Sequence, residues 1–139
     1  MSFKRNNTIL KSTLSQEGVL RLTLNNPNNH NVLSEEMMEN IQLSLDQATK
    51  DKKTRVIIIS AEGSTFSAGH DLKELKSARK NSDKGKDYFN NIMLKCSKMM
   101  QSIVKNPKPV IAEVSGIATA AGCQLVASCD LAYAGPLAK

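Results

Sequence analysis

Residues 112–135, AEVSGIATAAGCQLVASCDLAYAG, carry small residues at the point where a predicted strand turns into a predicted helix. Residues 65–75, TFSAGHDLKEL, have the same character after a short apolar run. Small residues at such turns let backbone N–H groups lie close to a bound molecule. Two turns of this kind, about 50 residues apart, predict a pair of backbone donors for one ligand.

Outside these segments, short β-branched runs alternate with longer amphipathic stretches. This alternation predicts an α/β fold with mostly parallel strands and flanking helices. A polar turn is expected at residues 25–31 because asparagine and proline dominate it. The predicted strands are Val19–Leu24, residues 55–60, Val110–Val114 and Leu131–Ala134.

Three segments have the apolar spacing of helices that bury one face. The first follows Ser34, a predicted N-cap, with Glu35 and Glu36 in its first turn. The second covers residues 85–105 and the third residues 120–127, while polar residues 76–86 predict a mobile linker or lid. The apolar positions are Met37, Met38, Ile41, Leu45 and Ala48 in the first helix and Phe89, Ile92, Met93, Cys96, Met99, Met100, Ile103 and Val104 in the second.

Composition excludes several classes of protein. The chain has 139 residues, of which 40% are hydrophobic, and a formal net charge of +6. No apolar run approaches the roughly 20 residues that span a bilayer, and the lysines are dispersed with few aromatics, so neither membrane nor nucleic acid is predicted as a partner. The three cysteines, Cys96, Cys123 and Cys129, lack metal-ligand spacing and are expected to be reduced, buried thiols without a metal.

Residues 1–17 are expected to form a flexible tail ahead of a single domain at residues 18–139. Lys4, Arg5 and Lys11 precede the first acidic residue, Glu17. This basic segment weakly resembles the end of an organelle transit peptide. A frayed terminus is the simpler interpretation. The expected location is therefore cytoplasmic, with the mitochondrial matrix as the alternative.

The two turns predict a site for a developing negative charge. A thioester carbonyl becomes an oxyanion in many reactions of coenzyme A esters, and one fixed donor stabilises it by about 3–4 kcal/mol. Residues 67–70 offer one free N–H, and residues 119–122 offer another where a helix begins. No glycine-rich loop of the kind used by nucleoside triphosphatases or dinucleotide enzymes is present.

Residues 66–75 resemble the first signature of the enoyl-CoA hydratase/isomerase (crotonase) superfamily, and residues 116–131 resemble the second. The resemblance extends from about Val19 to Lys139. It implies a crotonase-like ββα spiral, of which this chain is the N-terminal half only. It also implies an acyl-CoA-binding protein of fatty-acid or acyl-CoA metabolism, with the thioester as substrate, no permanently bound cofactor, and trimer-type homo-oligomers in the full-length family.

The resemblance assigns roles to individual positions. The backbone N–H groups of His70 and Ala121 match the two oxyanion-hole donors, which survive a change of side chain. The residues that match the loop bordering coenzyme A, with a cation near its nucleotide at the last position, are Ala68, Gly69, Asp71, Leu72 and Lys73.

One departure from the family pattern concerns catalysis. Hydratases of this superfamily use two glutamates, and Gln124 occupies the position of the first. Glutamine can hold a water molecule but has no proton to exchange near neutral pH. The second acid is expected beyond Lys139, so this chain is expected to be inactive as a hydratase.

Other interpretations stay open at this point. A different reaction could use Glu113 or His70, or the chain could be a truncated product or an interaction fragment without activity. The Asp71 and Glu74 pair is best explained as a helix N-cap with its partner at the third helical position. Asp130, before the last predicted strand, is expected to make a local turn bond, and Cys123 to be a packed thiol.

Overall fold

The β-branched runs pair into one five-stranded sheet in a computed structural model, which describes residues 9–139. The sheet order is β1-β2-β3-β5-β7, with β1 antiparallel to β2 and every other pair parallel. A separate two-stranded parallel sheet joins β4 and β6. The strands are β1 Leu10–Leu14, β2 Val19–Leu24, β3 Val56–Ala61, β4 Thr65–Ser67, β5 Val110–Val114, β6 Ile117–Ala118 and β7 Leu131–Ala134.

Four α-helices connect these strands: α1 Glu35–Lys50, α2 Leu72–Ala78, α3 Lys86–Val104 and α4 Ala121–Ser128. The predicted α/β class with mostly parallel strands is therefore confirmed. All four predicted strands are present, the second shifted by one residue, and the three predicted helices agree within a residue or two. Within the described part of the chain, no helix is long and apolar enough to cross a bilayer.

Helix α1 forms as its sequence predicts. The Ser34 hydroxyl accepts a hydrogen bond from the Met37 N–H at 3.1 Å, which caps the first turn. The predicted apolar face of this helix is buried over its whole length. In α3 the prediction is wrong at Met93 and Val104, whose side chains are 47% and 62% exposed, and Phe89 is only half-buried.

Part of the flexible tail expected at residues 1–17 is a strand in the structure, because Leu10–Leu14 form β1. Leu10 pairs with Leu24 in an antiparallel register and is 3% exposed. A tight turn joins β1 to β2, in which Gly18 has a φ of +87° that favours glycine. Pairing with β2 buries alternate side chains of a segment too polar to be recognised alone. The transit-like positions Lys4 and Arg5 lie outside the described residues.

The linker expected at residues 76–86 is shorter than predicted, because helices α2 and α3 extend into its two ends. Helix α2 continues to Ala78, because Leu75 and Ala78 bury its inner side. The carboxylate of Asp83, two residues before the N-cap Gly85, accepts hydrogen bonds from the N–H groups of Gly85 and Asp87, both at 2.9 Å, and so satisfies two donors at the start of α3.

Asp130 makes a long-range bond and not the local one expected. Its Oδ2 accepts a hydrogen bond from the Val110 N–H at 2.7 Å, and its own N–H donates to the Val110 carbonyl at 2.8 Å. These two bonds join the first residue of β5 to the residue that precedes β7. They help to hold β7 in parallel register on the sheet.

The small β4–β6 sheet places the two motif segments side by side. A methyl group on Gly116 would lie 2.2 Å from the Ser64 carbonyl oxygen, and one on Gly122 would lie 2.2 Å from the Ser67 carbonyl oxygen. Both distances are far inside van der Waals contact. Glycine at these two positions therefore allows the second motif to pack directly on the backbone of β4.

We predict that Gly122→Ala lowers the free energy of unfolding by about 1–3 kcal/mol, the range for overpacking a filled site. The sign is informative, because alanine has the higher intrinsic helix propensity and would otherwise be expected to stabilise α4 relative to glycine. Urea unfolding of the two proteins measures the difference.

Gly135→Ala is the matched control, since the nearest atoms to its added methyl group would be 3.7 Å away. Its stability is expected to stay within about 0.5 kcal/mol of the parent chain. Equal stability of the Gly122 variant and this control would contradict the proposed close packing.

Candidate active site

The two turns predicted from the sequence meet in the structure. The Thr119 N–H donates a hydrogen bond to the Ser67 carbonyl at 3.1 Å, which joins the turn after β4 to the turn before α4. A methyl group on Gly69 would lie 2.9 Å from Ala120 Cβ and 3.0 Å from the Ala121 nitrogen. Gly69 also has a φ of +88°, so both its conformation and its surroundings favour glycine.

The first turn is held by the loop before α1. The Ala68 N–H donates to the His30 carbonyl at 3.0 Å, and the Leu33 N–H donates to the Gly69 carbonyl at 2.7 Å. Between these bonds, the His70 N–H donates no hydrogen bond to any acceptor within residues 9–139. The turn is therefore fixed on both sides while one donor is left for a ligand.

The second turn leaves a donor at the start of α4. The N–H groups of Gly122 and Cys123 donate to the Thr119 carbonyl at 2.8 and 3.3 Å. In the same part of the chain that the structure describes, the Ala121 N–H has no acceptor. Ala120 has φ +50° and ψ −129°, a strained conformation for an L-residue, and it sets the direction of the next peptide group.

A cleft of about 390 Å³ opens at these turns. Five of the residues predicted to border a ligand line it, and Leu72 among them is 75% exposed although it is apolar. The residues lining the cleft are Asn29, Val32, Ala68, His70, Asp71, Leu72, Lys73, Leu75 and Ala120. Gly69 and Ala121 are buried directly behind this surface, where they shape the turn and position its donor.

The side chain of His70 lies in the cleft without a charged partner. Its Nδ1 is buried and has no hydrogen-bond partner in the described part of the chain. Burial lowers the pKa of this histidine below its ordinary value. The imidazole is therefore neutral at pH 7 and adds no positive charge to the cleft.

Of the capping pair expected on α2, Asp71 caps the helix as predicted and Glu74 does not bond back to it. Asp71 Oδ1 accepts hydrogen bonds from the N–H groups of Lys73 and Glu74 at 2.8 and 3.4 Å. Glu74 does not return a bond to Asp71. Its Oε2 accepts from the Glu35 N–H at 3.0 Å and from the Tyr88 hydroxyl at 3.4 Å, which ties α2 to α1 and α3. Burial and then the charge of Glu74 raise the pKa of Tyr88 to about 12.

Gln124 is separated from this group. Its side chain is exposed on α4 and it is absent from the residues that line the cleft. Glu113 lies on β5, where its Oε1 accepts a hydrogen bond from Arg21 at 2.9 Å. Neither residue lines the cleft, although Gln124 lies one helical turn after Ala121 on α4.

The cysteine prediction is wrong for Cys123, which is exposed on the same helix. Cys96 is buried and Cys129 is half-buried, and all three are free thiols. Burial raises the pKa of Cys96, and burial with the nearby charge of Asp130 raises the pKa of Cys129 to about 12. Within residues 9–139, no cluster of three histidine, cysteine or acidic side chains is placed to hold a metal ion.

Sequence reasoning missed Asn31, which joins the loop before α1 to the start of β4. It is fully buried in a left-handed conformation with a φ of +47°, which asparagine tolerates better than most residues. Its Nδ2 donates to the carbonyls of Glu62 and Thr65 at 2.8 and 2.7 Å, and its Oδ1 accepts from the Asn26 N–H at 2.7 Å. The five asparagines of residues 25–31 look alike in sequence, so only the fold singles out this one.

Comparison with known proteins identifies the family to which this chain belongs. The chain matches the enoyl-CoA hydratase/isomerase family over residues 14–139, and it belongs to that family. Among solved structures, it superposes on an enoyl-CoA hydratase from Mycobacterium smegmatis with a TM-score of 0.87 and 42% identity, covering 94% of this chain and 49% of the other. The expected crotonase-like fold is thereby confirmed.

The residue types at positions 69–71 and 120–124 also predict the branch of the family that contains enoyl-CoA hydratase domain-containing protein 3. The comparisons confirm this branch. Identity is 46% over 125 residues with the mitochondrial protein of Rattus norvegicus and 50% over 124 residues with that of Xenopus laevis, covering 90% and 88% of this chain. The human protein's crystal structure superposes with a TM-score of 0.82 and 44% identity, covering 91% of this chain and 47% of the other. The chain spans 40% of the length of the two curated relatives.

We predict that Asn31→Ala lowers the free energy of unfolding by about 2–4 kcal/mol, because three backbone groups lose their partner in a buried place. Thermal or urea unfolding measures the change. Asn28→Ala is the matched control in the same loop, because Asn28 is exposed. It is expected to change stability by less than about 0.5 kcal/mol, and an equal effect of both substitutions would rule out the role given to Asn31.

Proposed function

We propose that this chain binds an acyl-CoA thioester and holds the thioester oxygen between the N–H groups of His70 and Ala121. The observation that supports the proposal most strongly is the pair of unpaired donors, which lie on turns joined by the Thr119–Ser67 hydrogen bond. Both donors are backbone groups, fixed by the fold and not by a flexible side chain. Such donors need no reorganisation when charge develops on the oxygen.

The surroundings of the two donors suit a charge that forms during reaction. Ala121 is the first residue of α4, so its N–H belongs to the positive end of the helix dipole. Half-burial of the site excludes part of the solvent, which strengthens hydrogen bonds to an anion. Each donor is expected to contribute about 3–4 kcal/mol to the stability of the oxyanion.

Coenzyme A is proposed to lie along the turn and the start of α2. Ala68, Asp71 and Leu72 line the cleft, Gly69 lies buried between them, and the exposed side chain of Leu72 offers an apolar contact. Lys73 is exposed next to it and supplies a positive charge for a phosphate. The relatives' names refer to enoyl-CoA hydratases, which supports an acyl-CoA ligand and a place in acyl-CoA metabolism.

Hydration depends on proton transfer, which the family assigns to two acidic side chains and not to a group such as His70. Gln124 occupies the family's first acid position, is exposed, and has no titratable proton near neutral pH. We therefore propose that residues 1–139 bind the thioester without hydrating it. For the protein as a whole, trimer-type association is proposed as in the family.

The compartment is proposed to be mitochondrial. The relatives from rat and Xenopus are named as mitochondrial proteins. This favours the alternative considered from the basic N-terminal residues, while the expected cytoplasmic location gains no support.

Calorimetric titration of residues 1–139 with acetyl-CoA is expected to give saturable binding with a dissociation constant in the micromolar range. Gly69→Ala is expected to weaken it at least tenfold, since the methyl group would lie 3.0 Å from the Ala121 nitrogen. Gly135→Ala is the control and is expected to bind as the parent does. Circular dichroism verifies that each variant is folded, and absence of binding by a folded parent chain would refute the proposal.

A separate assay follows the absorbance of crotonyl-CoA with residues 1–139 present. No hydration above the rate in buffer is expected, because Gln124 cannot supply or take a proton. Gln124→Glu restores one acid at the family position and tests whether that position is the limiting one. Measurable hydration by the parent chain would overturn the proposed inactivity while leaving acyl-CoA binding intact.

A further inference from the structure

The imidazole of His70 is a polar group of the cleft that the protein leaves without a partner. Its Nδ1 is buried, and neither Nδ1 nor Nε2 makes a hydrogen bond with any residue from 9 to 139. Nε2 is not enclosed as Nδ1 is, and His70 lines the cleft, so Nε2 is open to a ligand. The other histidine differs, because Nδ1 of His30 lies 3.3 Å from the Thr65 hydroxyl.

The position of the ring proton follows from this difference between the two nitrogens. Neutral imidazole carries one proton, which makes one nitrogen a donor and the other an acceptor. In folded proteins a buried donor without an acceptor is rarer than a buried acceptor without a donor. The proton of His70 is therefore on Nε2, where solvent or a ligand can accept a hydrogen bond from it. Because burial lowers the pKa of His70, the ring offers the cleft a neutral donor at pH 7.

The rest of the cleft offers an acyl group a mostly apolar wall. Coenzyme A is proposed to follow the turn and the start of α2, which leaves Asn29, Val32 and Ala120 beside the acyl group. Val32 and Ala120 are apolar, and the Asn29 amide is engaged with Asp71, to whose Oδ2 it donates at 3.3 Å. Of the side-chain donors at this wall, that of Asn29 is used within the protein and that of His70 is not.

The imidazole and one of the proposed oxyanion donors belong to the same residue. A thioester oxygen held by the backbone N–H of His70 therefore places the first carbons of the acyl group beside the His70 ring. The two N–H groups of one histidine are close enough together to hold two oxygens of one small ligand. A neutral donor beside apolar side chains suits an uncharged carbonyl oxygen, because a charged group would lose its hydration there without a counter-ion.

We propose that the imidazole of His70 makes the site selective for 3-oxoacyl-CoA thioesters. This inference rests on the proposed acyl-CoA site. The thioester oxygen lies between the N–H groups of His70 and Ala121, and Nε2–H of His70 donates to the oxygen on C3. The same three donors favour the enolate of this ligand, because its negative charge is shared between the two oxygens that they hold.

Calorimetry with acetoacetyl-CoA and butyryl-CoA tests the inference, because the two acyl groups have the same number of carbons and differ only in the oxygen on C3. Acetoacetyl-CoA is expected to bind residues 1–139 about threefold to tenfold more tightly, the range for one net hydrogen bond. The more polar ligand loses more hydration on binding, so a preference for it requires a hydrogen-bond partner in the site.

Variants of His70 separate the side chain from the backbone donor, which every residue at this position retains. His70→Phe keeps a ring of similar shape without its N–H, so the preference for acetoacetyl-CoA is expected to disappear. His70→Gln supplies an amide donor and is expected to retain part of the preference. Asn28→Ala, at an exposed position of the loop before α1, is the control and is expected to retain all of it. Circular dichroism verifies that each variant is folded.

The other outcomes separate this inference from the proposed function. Equal affinity of the parent chain for the two thioesters, or a preference that survives in the His70→Phe variant, overturns the selectivity and leaves the acyl-CoA site standing. Identical preferences of the His70→Phe and His70→Gln variants show that the imidazole supplies no hydrogen bond, and also overturn it. If neither thioester binds the folded parent chain, the proposed acyl-CoA site itself fails.

Discussion

The arrangement depends on the close approach of two glycines to the backbone of β4. Gly116 and Gly122 lie where any side chain would collide with the carbonyl oxygens of Ser64 and Ser67, at distances of 2.2 Å. This approach allows β6 to pair with β4 and places the start of α4 beside the turn that contains Gly69. Adding one methyl group at either glycine would separate the two donors, because protein interiors are packed too densely to accommodate the extra volume.

Hydrogen bonds to the loop and helix that precede the motifs hold this contact in place. Asn31 links the loop before α1 to the carbonyls of Glu62 and Thr65, on either side of the point where β4 begins. Glu74 links α2 to the first turn of α1, so the wall of the cleft is tied to the core. The motif residues thus define the site, while polar residues of ordinary appearance fix its geometry. Buried polar groups of this kind are satisfied almost completely in folded proteins.

Elements whose sequence signal is local are predicted correctly. Elements and contacts that depend on a residue far along the chain are not. Strands β2, β5 and β7 and the capped start of α1 follow from apolar runs and one serine, and the two turns follow from their small residues. The strand β1 was missed because its burial comes only from pairing with β2. Glu74 and Asp130 were given local bonds, yet their partners lie 39 and 20 positions away. The exposure of Cys123 and Gln124 depends on how α4 lies on the sheet, which helical spacing alone does not determine.

The neutrality of His70 has a consequence for the forces that act on a ligand. The two N–H groups proposed to hold the oxyanion are peptide dipoles, and the imidazole of His70 beside them is neutral at pH 7, so their attraction for a ligand acts only at short range. Dissolved ions weaken interactions between exposed charges beyond about 8 Å at physiological ionic strength and affect direct hydrogen bonds far less. If the proposed function holds, added salt would weaken the attraction of the exposed Lys73 for a coenzyme A phosphate and leave the hydrogen bonds to the thioester oxygen almost unchanged. Ionic strength would therefore affect the charged end of the proposed ligand, which is attracted from a distance, and not the reacting oxygen, which is recognised only on contact.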